Sequence, residues 1–256
     1  MAQSKRETAP VPFTEASLKF LRGLKKNNDR EWFNRRKSVY EQELKAPMLG
    51  LIEQVNHAFA DFAPEFIRPP HKVMLRIFRD TRFAADKRPY KNQISAWWGG
   101  PGMAKTSGAG FYFSLSATEI TFAAGIFMPT PNQLLAIRRH LLKHHPAMRR
   151  QLASSRLREV FTLEDGRPLT RPPKGFSPTD PAVAFALDLL LQRRWGVSAT
   201  RPAVDKLNPS ESATAPDLAT KVANAFRLAT PLVRLLNQPL IEPFDTAAPP
   251  PRKPLF

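Results

Sequence analysis

Cysteine is absent from this chain of 256 residues, and its absence removes several kinds of chemistry. Disulfide bonds, thiolate metal sites and cysteine nucleophiles are all excluded. Acidic residues are scarce as well, since 22 Asp and Glu stand against 39 Lys and Arg. No apolar run approaches the ~20 residues that span a bilayer, and residues 1–12 are polar and lack the apolar core of a signal peptide. The sequence therefore predicts a soluble, cytoplasmic protein that does not enter a membrane.

Positively charged residues strongly outnumber negatively charged ones. The formal net charge is +17 and the pI is near 10.7. A field of this sign attracts nucleic acid, anionic lipid and phosphorylated small molecules, although solubility alone is another explanation. No helix-turn-helix, zinc-finger or ribonucleoprotein signature is present. The composition favours a phosphorylated small molecule or a nucleic acid as partner, and it identifies neither a cofactor nor an oligomeric state.

Capping patterns predict where several helices begin. Thr14 is a candidate N-cap, and Asn28 with Glu31 forms a capping-box pattern. Thr130, followed by Pro131 and a Gln two residues later, is a strong helix start, and Pro146 is expected to end or restart that helix. Further helices are predicted over residues 48–62, 180–195 and 217–236.

Between these helices the apolar period changes to two, which is typical of strands. Strands are predicted at residues 73–78, 94–98, 111–115, 120–128 and 160–163. Their connections are too short for crossover helices, so the strands should be antiparallel. Residues 196–216 are predicted to be irregular. The order of helices, strands and helices predicts an α+β fold, with an antiparallel sheet of about four to five strands flanked by N-terminal and C-terminal helices. We expect a single domain over residues 13–240, with disordered tails at 1–12 and 241–256.

The segment 76–91 is the strongest candidate for a binding site. Between residues 68 and 91 there are eight Lys or Arg and only two acids. A cation excess that remains after internal pairing needs water or an anion, and the planar guanidinium suits phosphate or carboxylate. The candidate ligand-binding residues are Arg76, Arg79, Arg82, Lys87, Tyr90 and Lys91, joined by Asn28, Glu31, Arg171 and Lys174.

Two other interpretations of this segment stay open. Asp80 or Asp86 could act as a base or metal ligand in a hydrolase or phosphoryl-transfer enzyme. Alternatively the segment is an internal ion-pair lock, in which Asp80 pairs with an arginine, Asp86 pairs with Lys91 or Arg88, and Tyr90 closes the loop. Strand alternation would place Arg76, Phe78 and Asp80 on one face and Arg79 on the other, so that the arginines could not all meet one ligand.

Other segments offer weaker signals. Residues 27, 30 and 31 could line the same cleft as segment 76–91. The turn 171–176 either holds Arg171 and Lys174 outward or packs Phe176 into the core. The glycine-rich stretch 99–106 has Ala where a phosphate loop needs Gly before its Lys, and a strand follows it. His140 and His144 lack the intervening Glu of a zinc protease, so no metal site is predicted. Trp97 and Trp98 could stack bases or lie half-buried in the sheet.

Four segments together resemble a known family: residues 27–33, segment 76–91, the strand pair around 110–112 and Gly125, and turn 171–176. The chain is similar, from about residue 13 to 240, to the uncharacterised bacterial family described as domain of unknown function 2461. Two departures stand out, since that family often has Ser at the position of Ala84 and glycines near Ala123 and Ala124. The resemblance implies no reaction, and any backbone or hydroxyl contact to a ligand at these positions would be weakened here.

Overall fold

The computed structural model describes residues 12–100, 102–103 and 107–241. The predicted disordered tails lie outside this part, except for Pro12 and Ile241, and Ile241 is the last residue of a helix. Part of the glycine-rich stretch, residues 101 and 104–106, also lies outside it.

Helices precede and follow the strands in the chain, as the sequence predicted. The helices are α1 Glu15–Lys26, α2 Arg30–Arg35, α3 Lys37–Tyr40, α4 Ala46–Phe62, α5 Pro70–Val73, α6 Pro131–Leu152, α7 Ser155–Val160, α8 Pro181–Leu190 and α9 Leu218–Ile241. A π-helical turn, Glu41–Lys45, joins α3 to α4, and short 3₁₀ turns lie at Pro64–Phe66 and Pro209–Glu211. The strands are β1 Gln93–Gly99, β2 Gly110–Ser116, β3 Glu119–Ile126, β4 Thr162–Leu163 and β5 Trp195–Pro202.

The strands form one five-stranded antiparallel sheet in the order β1-β2-β3-β5-β4. Helix α9 packs on β2 and β3, and α4 packs on both α9 and β1. The α+β prediction is therefore confirmed, with helices from both ends of the chain against the sheet. At Gly125, φ is +134° and an added Cβ would lie 2.3 Å from the Trp195 carbonyl oxygen, so only glycine lets β3 and β5 approach this closely.

The predicted strand at 73–78 is wrong. Residue 73 ends α5, and the segment meets β1 at an isolated bridge from Met74 to Ala96 and at a backbone hydrogen bond, Leu75 N to Ser95 O at 2.8 Å, instead of forming a strand. The chain then leaves the sheet edge and pairs at Phe78 with its own continuation at Tyr90. The apolar alternation reflects burial of residues 73 and 77 and not membership of the sheet.

The prediction that residues 196–216 are irregular is also wrong in its first part, because β5 lies there between β3 and β4. Trp195 and Val197 point into the core, while Gly196, Ser198 and Thr200 alternate with them. Small and polar residues on that second face give the segment the composition of a loop, and the sequence analysis therefore missed the strand.

The capping predictions are partly confirmed. Thr14 and Thr130 each cap a helix through a capping box. Asp29 caps α2, with its carboxylate accepting a hydrogen bond from Trp32 N at 2.8 Å, so the prediction that Asn28 is the cap is wrong. Pro146 lies inside α6, which continues to Leu152. The proline is exposed while Leu141 and Met148 on either side are buried, so packing holds the helix together across the missing N–H.

Aromatic packing connects the N-terminal helices to the rest of the molecule. Phe20 of α1 contacts Trp32 and Phe33 of α2, with ring centroids 5.3 and 6.1 Å apart. Phe33 in turn stacks on Tyr90, with centroids 4.2 Å apart and planes 14° from parallel. Because Tyr90 belongs to segment 76–91, this stack fixes α2 against that segment.

Candidate functional site

Segment 76–91, hereafter the basic loop, is a closed loop outside the sheet. Two backbone hydrogen bonds hold its ends together: Arg79 N to Pro89 O at 2.9 Å and Lys91 N to Ile77 O at 2.8 Å. They flank the bridge between Phe78 and Tyr90. The residues between the two ends lie close in space although they do not belong to a strand.

Asp86 joins two arginines of the basic loop. Its Oδ2 lies 2.6 Å from Arg79 Nη1 and 2.7 Å from Arg88 Nη2, and its Oδ1 accepts a hydrogen bond from Arg88 N at 3.1 Å. The hydrogen bonds from Arg88 and then from Arg79 hold the pKa of Asp86 well below its usual range. One carboxylate faces two guanidinium groups here, so a positive charge is left over.

Asp80 also binds the arginine two residues after it, as Asp86 binds Arg88. Arg82 donates to both carboxylate oxygens, Nε to Oδ1 at 3.0 Å and Nη2 to Oδ2 at 2.7 Å. Its backbone N–H also donates to Oδ1, at 3.2 Å. These hydrogen bonds lower the pKa of Asp80. Both aspartates of the loop are therefore ionised near neutral pH and already bound to arginine.

Asn28 attaches the start of α2 to the basic loop. Its side-chain oxygen accepts from Tyr90 N at 3.0 Å, and its Nδ2 donates to Tyr90 O at 3.0 Å and to Asn92 Oδ1 at 2.9 Å. The amide thus pairs with the Tyr90 backbone as a neighbouring strand would. Two residues later in the chain comes Arg30, which this anchor brings to the loop.

A pocket of about 300 Å³ opens between α2 and the basic loop. It is hereafter the basic pocket. Its lining combines two arginines, an amide, a hydroxyl and an aromatic wall. The lining residues are Arg30, Asn34, Phe78, Arg79, Thr81, Pro89 and Tyr90.

The electrostatics of the basic pocket are positive. None of the described residues that line it is acidic. Arg30 has no ion pair with any residue of the described part of the chain. Burial raises the pKa of the Tyr90 phenol, while the nearby charge of Arg30 lowers it and that of Asp29 raises it. Tyr90 is therefore a neutral phenol near neutral pH, close to the charges of Arg30 and Asp29.

The structure brings some of the candidate residues together and leaves others apart. Arg79 and Tyr90 line the basic pocket, and Asn28 positions its two sides. Glu31 pairs with Arg35 of its own helix at 2.8 Å and lies outside the pocket lining. The other candidates lie outside the lining, most of them exposed: Arg76, Arg82, Lys87, Lys91, Arg171 and Lys174.

The expectation that Arg79 and Phe78 face opposite sides is wrong. Both line the basic pocket, because the chain turns at the closed end of the loop instead of extending as a strand. Asn34 and Thr81 were missed by sequence reasoning. A signal existed for Asn34, since it lies four residues after Arg30 on α2 and so shares its face of the helix.

Burial decides how two further segments are interpreted, the pair Trp97 and Trp98 and the turn 171–176. Trp97 is 7% exposed and Trp98 is fully buried, with its Nε1 donating to Asn56 Oδ1 at 3.1 Å, so neither ring is free to stack on a base. Phe176 is buried while Arg171 and Lys174 are exposed.

Within the described residues no group of three or more His, Asp or Glu is placed to hold a metal ion. In that same part of the chain no helix is both long and apolar enough to cross a membrane.

Comparison with known proteins gives a family and no activity. No curated protein and no solved structure matches the chain. The model of one family, described as "Conserved hypothetical protein (DUF2461)", matches residues 16–235, which contain α2, the basic loop and the whole sheet. Since the match extends over most of the chain, the protein belongs to this family of conserved hypothetical proteins, DUF2461.

Proposed function

We propose that the protein binds an anionic ligand in the basic pocket, through the guanidinium groups of Arg30 and Arg79. The ligand is a phosphorylated small molecule or a nucleic acid, and we expect either one in the cytoplasm. The observation that carries the proposal is the lining itself, which contains two arginines and no carboxylate among its seven residues. Arginine forks bind phosphate and carboxylate oxygens in pairs, and the hydrogen bonds are charge-assisted.

The ion pairs of the basic loop support this function. Arg79 is 28% exposed and donates through Nη1 to Asp86, so its side chain is held in place while its other N–H groups stay available. A preorganised side chain loses little entropy when a ligand binds. Asp86 is shared with Arg88 and cannot neutralise both partners, so an anion in the pocket meets uncompensated charge.

Pyrophosphate is the simplest probe of the basic pocket. We expect calorimetry at low salt to detect binding by the full chain, and Arg30→Gln to weaken it about tenfold or more, because a hydrogen bond to a charged group contributes roughly 1.5–3 kcal/mol. The matched control is Arg35→Gln on the same helix, which removes the same charge from an arginine paired with Glu31 outside the pocket. Equal weakening by both variants would reduce the effect to general electrostatics, and no binding by the wild type would refute the proposal.

The ion-pair lock is a second candidate, favoured by the two loop-closing backbone hydrogen bonds and the Arg79–Asp86–Arg88 contacts. In this case the basic loop serves only the fold or a protein partner. Asp86→Asn separates the two: a lower melting temperature with unchanged pyrophosphate affinity would favour the lock. A change in pyrophosphate affinity at unchanged stability would favour the binding site.

The enzyme alternative receives less support from the site. A general base works best with a pKa near the working pH, whereas the pKa values of Asp80 and Asp86 are both lowered. Each carboxylate also faces arginine and lies outside the pocket lining. Asp80→Asn should therefore leave any activity found by screening intact, and its loss in a folded variant would restore the enzyme hypothesis.

A further inference from the structure

Two phenylalanine rings of the basic loop are exposed to solvent. Phe83 is 96% exposed and Phe78 is 52% exposed. Single exposed apolar residues are common on protein surfaces. Here, however, both rings belong to one loop, Phe78 lines the basic pocket, and Phe83 follows only two residues after the lining residue Thr81.

The loop that carries these rings also carries several cations. The guanidinium carbon of Arg82 lies 5.9 Å from the centroid of the Phe83 ring, and Lys87 and Arg88 of the same loop are exposed. Exposed rings interleaved with cations suit a ligand that repeats phosphate groups and flat apolar faces. Single-stranded nucleic acid has this chemistry, because its phosphates follow a basic groove while its unpaired bases stack on aromatic side chains.

We propose that the ligand of the basic pocket is a single-stranded nucleic acid, with a backbone phosphate on Arg30 and Arg79 and with bases stacked on Phe83 and Phe78. This inference rests on the proposed anion-binding function and adds the substrate class. The net charge of +17 supplies long-range attraction to such a polymer.

Single strands fit this site better than duplexes or membranes. Bases of a duplex are already stacked and do not offer their faces to Phe83, and α2, with six residues, is a short element to read a groove. A membrane would need rings that protrude together. Phe78 instead packs against Tyr90 and Phe33, with centroids 5.3 and 6.4 Å away, and forms the wall of a concave pocket.

The test measures fluorescence anisotropy of a labelled twelve-residue oligothymidylate with the full chain. We expect Phe83→Ala to weaken binding about tenfold, the range expected for losing one stacked base. The control is Phe185→Ala, which removes a ring that is 70% exposed on α8, away from the lining of the basic pocket, and should leave affinity unchanged. Affinity should also fall steeply as salt rises.

The outcomes distinguish failure of this inference from failure of the proposed anion-binding function. Pyrophosphate binding that depends on Arg30, without oligonucleotide binding or with an unchanged Phe83→Ala affinity, would overturn the inference and leave the anion pocket intact. Failure of the wild type to bind either probe would overturn both. A duplex of the same length that competes equally would refute stacking. Phe83-dependent binding to vesicles of phosphatidylserine and phosphatidylcholine, without oligonucleotide binding, would replace the nucleic acid by a membrane surface.

Discussion

His140 shows how burial sets the charge of one residue. It lies in α6 with its ring stacked on His144, the centroids 4.0 Å apart, and its Nε2 is buried without a hydrogen-bond partner among the described residues. Burial, and after it the neighbouring charge of His144, lowers the pKa of His140 to about 4. The folded protein therefore keeps His140 neutral at pH values where the unfolded chain protonates it.

The free energy of unfolding should fall in mild acid because of this residue. The unfolded pKa is about 6.5, so the unfolded chain binds one more proton between pH 6.5 and 4, and stability present above pH 6.5 is lost as pH falls through that window. Between pH 7.5 and 5 the loss from His140 is about 2 kcal/mol. Urea unfolding of wild type and His140→Leu at both pH values measures it, because the variant should lose about that much less.

The exposed residue His57 provides the control, since His57→Gln removes a histidine without removing a partly buried ring. It should keep the acid sensitivity of the wild type. An acid sensitivity that is the same in His140→Leu and the wild type would show that His140 is protonated at little cost in the folded state.

Arg138 connects three elements of the C-terminal half. It is 8% exposed in α6, and its guanidinium donates from Nε to Leu190 O at 2.8 Å and from Nη2 to Gln192 O at 2.9 Å. The Leu190 carbonyl belongs to the last residue of α8, where the C=O groups of a helix have no partner within it, and the Gln192 carbonyl lies in the turn that follows. The residue thus caps α8 from a neighbouring helix and fixes the turn that leads into β5.

Removal of this cap should destabilise the fold. Arg138→Met keeps much of the apolar stem and leaves the two carbonyls without their donor, so we expect a loss of about 2–3 kcal/mol in the free energy of unfolding. Arg150→Met is the matched control, since Arg150 is exposed on the same helix. Denaturant unfolding of both variants measures the difference, and equal stabilities would mean that water replaces the guanidinium at no cost.

At the scale of elements, the sequence predicts what local chemistry determines. The caps at Thr14 and Thr130 were predictable because a cap and the backbone N–H that it binds lie within three residues. The asparagine at residue 28 was misassigned because its real partners, Tyr90 and Asn92, lie more than sixty residues away. Strand β5 was missed for a related reason, since its pairing with β3 decides its structure and its own composition does not.

The same division applies to the site. The Asp86–Arg88 contact of the lock interpretation could be predicted from neighbouring residues, and the structure contains it together with the less local Arg79. The basic pocket could be predicted only in part: the sequence placed Arg30 in one cleft with the loop, but it missed Asn34, which reaches the pocket through the fold of the N-terminal helices on Tyr90. A sequence pattern identifies the charged loop, and tertiary packing decides which of its arginines face a common space.

The net charge of +17 acts on the molecule as a whole. Like charges repel each other in the compact state, and salt screens this repulsion over a Debye length of about 10 Å at 0.1 M. Ion pairs such as Arg82–Asp80 and Arg35–Glu31 lie at the surface, where each contributes little. Screening the repulsion should therefore outweigh screening the pairs.

We expect the free energy of unfolding at pH 7 to rise by roughly 1 kcal/mol between 20 and 300 mM NaCl, as self-repulsion is screened. Phosphate at equal ionic strength should stabilise the wild type further, because a ligand that binds only the folded state adds stability by mass action. Exclusion of phosphate from the surface stabilises any variant, so the extra gain of the wild type over Arg30→Gln isolates the basic pocket. Stability that falls with NaCl would mean that the surface pairs outweigh the repulsion, and equal phosphate gains in both proteins would place the binding outside the pocket.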